Sequence, residues 1–188
     1  MIGQPDRRRA LLGLLLAGAL LGALAGCGGG GDSASSEKTF THEDFAISFK
    51  YPGSLKESKV GETAQSAGGE PVAQTVLAVD EANAIFLAKY DLNAEVTKEN
   101  IATFVPQVDQ VVQQLTGNPI SGTRVDVGGL PGVRYDDVAL TKPPQGQSRL
   151  VFLFDGSVEY LVNCQSTPEE RDEISRACDR VLTTMSKA

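Results

Sequence analysis

Histidine is nearly missing from this sequence, tryptophan is wholly missing, and only three cysteines occur in 188 residues. Each scarcity closes off chemistry. The single histidine, His42, has no neighbour in sequence suited to orient it as a general base, so it is read as a solvated turn residue. One histidine and a few cysteines are too small a set for zinc. No Gly-x-Ser-x-Gly nucleophile elbow is present. Basic residues are in deficit as well, 17 Lys and Arg against 24 Asp and Glu, for a net charge of −7. That balance excludes a general affinity for nucleic acid, whose phosphates demand a basic surface. The longest apolar run, residues 10–26, falls short of the ~20 residues a membrane span needs and is broken by Gly13, Gly18 and Gly22.

What the N-terminus does hold is a processing signal. Arg7, Arg8 and Arg9 form a positive n-region, an apolar stretch follows, and Leu24-Ala25-Gly26 precede Cys27. This pattern resembles a bacterial lipoprotein signal peptide over residues 1–26, with Cys27 lipid-modified as the first residue of the mature chain. A buried core helix would not begin behind three arginines and end in four glycines. Arg8-Arg9-Ala10-Leu11-Leu12 also resembles a twin-arginine export signal, against the simpler reading of an ordinary n-region. Cleavage leaves 162 residues with 14 basic against 23 acidic, a net charge of −9. Such a chain has no overall electrostatic attraction to anionic lipid, so the lipid on Cys27 must supply the membrane affinity. A diacylglyceryl group brings the two acyl chains that stable anchoring requires. The expected location is the cell membrane, on its extracytoplasmic face.

Residues 27–38 are Gly, Ser, Ala and charge without apolar periodicity, and read as a flexible tether. Residues 39–188 suit a single domain. Phe45, Ile47, Phe49 and Tyr51 alternate with smaller or polar residues, the mark of a strand with one buried face. The stretch 59–70 reads as a loop. Residues 72–79 and 84–90 read as a hairpin, and residues 123–127 and 133–140 as two more strands around a Gly-rich turn. A polar loop over residues 142–147 leads to a hairpin expected around Asp155-Gly156, because that dipeptide favours two-residue turns.

Two helices are expected. The first carries Ile101, Phe104, Val105, Val108, Val111, Val112 and Leu115 on one face, with Thr97 as N-cap and Gly117 as the stop. Pro106 lies inside it, and the cost of an interior proline predicts a kink or a restart there. The second begins with Thr167 as cap, Pro168 at the first position and Glu170 completing a capping box. Its stripe is Ile174, Ala177, Cys178, Val181, Leu182 and Met185.

With Cys27 committed to lipid, Cys164 and Cys178 remain, and outside the cytoplasm an even pair is most simply a disulfide. Cys164 shares strand parity with Val158, Tyr160 and Val162, and Cys178 lies on the apolar stripe of the last helix. The two sulfurs are therefore aimed at each other.

These elements predict an α+β fold, an antiparallel sheet flanked by helices on both faces. The chain resembles the PsbP-like family of α/β/α sandwich proteins, which includes bacterial lipoproteins. The resemblance rests on Phe45-Ala46-Ile47-Ser48-Phe49-Lys50-Tyr51-Pro52, on Gly128-Gly129-Leu130-Pro131-Gly132-Val133-Arg134-Tyr135, and on Tyr160-Leu161-Val162-Asn163-Cys164 with Ala177-Cys178. It spans residues 40 to 185 and implies an accessory or binding role rather than catalysis.

The remaining motifs have bland explanations. Ser35-Ser36-Glu37-Lys38 matches Ser-x-x-Lys by letters but sits in the tether. Asp136 and Asp137 would point to opposite faces of a strand. Glu169, Glu170, Asp172 and Glu173 suit a helix N-terminus, and Gly128, Gly129 and Gly132 suit a turn rather than a phosphate cradle. No catalytic residue, metal ligand or cofactor is implied. Two functions are carried forward: a non-catalytic binding or accessory module of the cell envelope, with an unidentified envelope protein or small ligand as partner, or an extracytoplasmic hydrolase or metal-dependent enzyme using carboxylates. Three or more carboxylates converging in one pocket would favour the second.

Overall fold

A computed structural model describes residues 36–58, 70–139 and 146–188, which belong to one compact unit. Cys27, the signal segment and most of the tether lie outside the described residues, as do most of the two polar stretches read as loops, residues 59–69 and 140–145. The elements in chain order are β1 (Glu37–Thr41), β2 (Ile47–Pro52), β3 (Lys56–Ser58), β4 (Ala73–Ala78), β5 (Ala84–Val96), α1 (Ile101–Thr116), β6 (Thr123–Val127), β7 (Leu130–Ala139), β8 (Gln147–Ser166), α2 (Arg171–Thr184) and β9 (Ser186–Lys187). They build an α+β fold from two antiparallel sheets and two helices, with strand orders β1-β2-β9 and β3-β4-β5-β8-β7-β6. The tether reading ran slightly too far, because β1 already takes in Glu37 and Lys38.

The alternation at residues 45–51 is realised directly. Phe45, Ile47, Phe49 and Tyr51 are buried while Ala46 and Lys50 are exposed. They meet α2, whose Ile174, Ala177, Cys178 and Val181 are buried, and Leu87, Leu153, Tyr160 and Val162 of the larger sheet. At ~1.5–3 kcal/mol for each large apolar side chain fully buried, this core dominates the stability. A second core joins Ile101, Val108 and Val112 of α1 to Val133, Tyr135, Leu150, Phe152 and Phe154. Strand β8 feeds both cores by simple alternation, with Val151 and Leu153 in the first and Leu150, Phe152 and Phe154 in the second.

The hairpin expected at Asp155-Gly156 does not form. β8 runs unbroken for 20 residues through that dipeptide. A two-residue turn needs its flanks to pair with each other, and here both flanks are taken. Gln147 to Leu153 pair with β7, and Gly156 to Gln165 pair with β5. Gly156 keeps the positive φ of 62° that made it look like a turn, but uses it opposite Val96, beside an irregularity in β5. The genuine two-residue turn is Gly128-Gly129 between β6 and β7, with φ of 59° and 85°. Both signs suit the primed turn that matches strand twist, and glycine adopts them without strain.

The helix ends differ from expectation in instructive ways. α1 ends as predicted at Gly117, which has φ 72° and donates its N–H to the Gln113 carbonyl at 2.8 Å. At its start the cap position falls on Asn100, while Thr97 opens the preceding turn and accepts the Ile101 N–H on its carbonyl at 2.9 Å. In α2 the cap position is Glu170, and the Thr167–Glu170 capping box is not formed. The reason is competition: the Thr167 N–H that Glu170 would accept is donated instead to Oδ1 of buried Asn83, at 2.8 Å.

Nor does α1 restart at Pro106. The helix is continuous from Ile101 to Thr116 with Pro106 inside. Pro106 and Ala102, whose carbonyl loses its partner, are both exposed, so water can accept the role of the missing N–H.

Two stability predictions follow from this packing. The Cys164–Cys178 disulfide closes a loop with a sequence separation of 14 and a Cα–Cα distance of 6.0 Å, and both residues are buried. Loop entropy assigns about 3 kcal/mol to a closure of this size, so Cys178→Ala should lower the thermal midpoint while leaving the far-UV circular dichroism of the folded state unchanged; an unaltered midpoint would overturn that assignment. Pro106→Ala should restore one helical hydrogen bond at an exposed position and stabilise the domain by about 2 kcal/mol, after allowing for the freer unfolded chain. Urea titration of the two proteins checks this, and a loss of stability would mean that Pro106 makes contacts worth more than the bond it breaks.

Candidate functional site

The predicted site residues separate into three groups. Cys27 lies outside the described residues. Cys164 and Cys178 are joined, as the strand parity and the helix stripe implied. His42 is exposed at the β1–β2 turn, where its Nδ1 accepts the Asp44 N–H at 3.3 Å. Among the described residues no three His, Cys, Asp or Glu side chains converge to hold a metal ion, and no helix is long and apolar enough to cross a membrane.

The paired aspartates behave differently from a regular strand. A register shift between Tyr135 and Val138 places Asp137 at φ 54°, and both Asp136 and Asp137 are exposed. Simple alternation therefore does not separate them. Asp136 instead meets Arg149, whose Nε donates to Oδ1 at 2.9 Å, and the same guanidinium reaches Asp179 of α2. This cross-link fastens β7 and β8 to α2 at the surface. As an exposed network it contributes little beyond position.

A more selective arrangement sits under α1. Tyr135 is buried, and its hydroxyl donates to Asp109 Oδ1 at 2.6 Å; the same oxygen accepts the Gly122 N–H at 2.9 Å. Burial, and then the Asp109 carboxylate, push the Tyr135 phenol far above its ordinary value, so it stays a neutral donor. Asp109 also edges an open depression of about 410 Å³ lined by Pro106, Gln110, Gln113, Pro119, Ile120 and Ser121. Its polar side chains are Asp109, Gln110, Gln113 and Ser121, and no histidine or lysine stands among them to activate the Ser121 hydroxyl. Its evident work is to bind the segment after α1 to the helix.

Sequence reasoning missed the one carboxylate among the described residues whose pKa is raised to near neutrality. Glu159 lies on β8 opposite Tyr90 of β5, with Leu161 opposite Ala88 and Asn163 opposite Phe86 along the same face. Burial alone raises the Glu159 pKa to about 7, and no described residue offers its carboxylate an ion pair. Further along, Oδ1 of Asn163 is buried without a hydrogen-bond partner. Four residues of strand separate the two groups by ~13 Å, so they do not act on one atom. A buried acid at this pKa can donate or accept a hydrogen bond at neutral pH, which is a property of many functional sites. The signal was present in the sequence. Glu159 stands between Val158 and Tyr160 in a strand rich in apolar residues, and is itself half-buried.

The sign of this shift makes a pH prediction. The folded pKa of about 7 exceeds the unfolded value near 4.5, so folding takes up a proton between them. The stability linked to this group is intact below about pH 4.5, declines as pH rises, and is lost above about pH 7. Glu159→Gln should be roughly 3 kcal/mol more stable than the parent at pH 8 and show a flatter profile between pH 5 and 8. Equal slopes for the two proteins in denaturant titrations across that range would refute the assignment.

Comparison with known proteins locates the fold without locating a function. No known family model matches the chain, and no curated protein matches it. Among solved structures, a Bacteroides thetaiotaomicron VPI-5482 protein aligns with a TM-score of 0.55 at 14% identity over 80% of this chain. The chain spans about half of that protein, 48% of its length. The solution structure of cyanobacterial PsbP (CyanoP) from Synechocystis sp. PCC 6803 aligns with a TM-score of 0.55 at 12% identity, covering 88% of this chain and 99% of that one. The antiparallel sheets, the two helices and this near-complete alignment together make the fold PsbP-like.

Proposed function

We propose that this protein is a lipid-anchored extracytoplasmic binding or accessory module of the cell envelope, with no catalytic activity of its own. The observation that carries the reading is the order of its parts. A positive n-region, a short apolar run and Leu24-Ala25-Gly26-Cys27 are followed by a Gly/Ser stretch, and β1 begins at Glu37. A short polar linker between an acylated cysteine and a folded domain suits display from a membrane surface. The buried Cys164–Cys178 bond accords with an oxidising compartment.

The finer architecture belongs to the same proposal. We take α1 and α2 to cover opposite faces of the six-stranded sheet, giving an α/β/α sandwich. The division of β8 side chains between the α1 core and the α2 core supports this arrangement. In such a layout the helices and the smaller sheet shield the main sheet, and surface loops and helix exteriors are left to meet a partner.

The catalytic alternative has one observation in its favour, the raised pKa of Glu159. Among the described residues no three His, Cys, Asp or Glu side chains gather as a metal-dependent hydrolase would need.

Cys27→Ser tests the anchor. The parent should co-sediment with membranes and show an intact mass beginning at an acylated Cys27, and the variant should lose the lipid and leave the membrane fraction. A parent chain that keeps Met1, or begins at another residue, would end this reading. Affinity purification of the lipidated protein from its native envelope, followed by mass spectrometry, would then identify the partner.

A further inference from the structure

We propose that the outer face of α1 is a self-association surface, on which two copies of this chain meet helix to helix whether or not they are membrane-anchored. Residues 100–123, which take in all of α1 and the segment after it, contain one charged residue, Asp109, in a chain with 22% charged residues. That one charge is used within the molecule, where Asp109 Oδ1 accepts the Tyr135 hydroxyl and the Gly122 N–H. The nearest charges along the chain, Lys98, Glu99 and Arg124, lie beyond the two ends of the stretch, and Lys98 is paired with Asp126 at 2.6 Å.

Helical spacing decides which side chains form this face. Ile101, Val108 and Val112 are buried toward β7 and β8, so the ridge half a turn away looks outward. That ridge is Thr103, Gln107, Gln110 and Gln114, at steps of four, three and four, and all four are exposed. Phe104 and Val111 border it half-exposed, with Leu115 at 46%. On its other side stand Pro106 and Gln113, at the edge of the depression that Pro119 and Ile120 also line. An outward helix face ordinarily carries charge, and this one carries amides and apolar groups instead.

A second copy is the partner that this chemistry fits. Two-fold symmetry sets each residue close to the axis near its own counterpart, where a charge would meet its like. A net charge of −7 keeps copies apart in general, and the ridge lacks the charges that would repel at contact. A glutamine amide both donates and accepts, so it is complementary to another glutamine. Run antiparallel about a two-fold axis, the ridges set Gln107 against the partner's Gln110 and Phe104 alongside the partner's Leu115. Thirteen residues of the stretch are exposed and eight more half-exposed, about the roughly 20–30 a side of a standard interface. One helix ridge engages only part of that set, so the dimer is a weak one.

The experiment uses the chain from Gly28 to Ala188, which contains the whole described domain, so its outcome is independent of the anchor. Sedimentation velocity at rising concentration should show a monomer–dimer equilibrium. Gln110→Glu and Gln110→Lys should each weaken it by about tenfold or more, with circular dichroism unchanged from the parent. An equimolar mixture of the two variants should restore the dimer to at least the parent's level, because opposite charges then meet across the axis. A parent still monomeric at about 1 mM would overturn the dimer and leave the face to a different partner. A dimer that both variants leave intact, or that mixing fails to restore, would overturn it too, since the contact would then lie elsewhere or off the axis.

Discussion

Burial of one face of α2 is the constraint on which the rest of the fold turns. Ile174, Ala177, Cys178 and Val181 lie between the small sheet and the large one, and none can be exposed without opening both. The disulfide to β8 fixes the register of this helix, and Thr184 and β9 fix its far end against β2. A polar clasp secures its approach. Asn83 donates to both oxygens of Asp80 at 3.0 Å and accepts the Thr167 N–H, so the β4–β5 turn holds the start of the last helix. The Asp80 carboxyl is kept below its ordinary range by those hydrogen bonds.

The two cores differ in character. The α2 core is aromatic and continuous, with Phe40 stacked on Phe49 at 4.6 Å and Phe45 set edge-on to Phe40. The α1 core is smaller and includes a buried Tyr135 that satisfies its hydroxyl through Asp109. On the face of the sheet shared with it, Asn163 leaves its Oδ1 buried without a described partner, and desolvation raises the pKa of Glu159. Burial of such groups costs stability, and costs of this kind concentrate where a protein does something other than fold.

Much of the architecture was legible in residue order. Alternation found β2, helical spacing found α1 and α2, Gly117 marked a helix end, and strand parity paired Cys164 with Cys178. What escaped was whatever depends on a distant partner. Asp155-Gly156 has turn chemistry, yet β5 and β7 claim its flanks, and no local pattern announces that competition. The capping box at Thr167 lost its N–H to Asn83, which lies 84 residues away in sequence. β1, β3 and β9 are short and mostly exposed, so they carry too few apolar residues to show a period. Glu159 was visible as a charge in an apolar strand, but its pKa depends on the faces packed around it.

The position of β8 also sets an order of events as the chain emerges from N- to C-terminus. Through Ala139 the large sheet has only two separate described pieces, the meander β3-β4-β5 and the hairpin β6-β7, each with an edge that β8 has yet to pair. Among the described residues β8 is the strand that bridges them, and α2 and β9 come after it. Hydrophobic edges of β5 and β7 therefore wait for the last quarter of the chain. Such waiting edges invite pairing with other molecules. The vulnerable period for this protein is its synthesis, before β8 arrives, and a chaperone that shields those two edges would protect the yield without touching the finished fold.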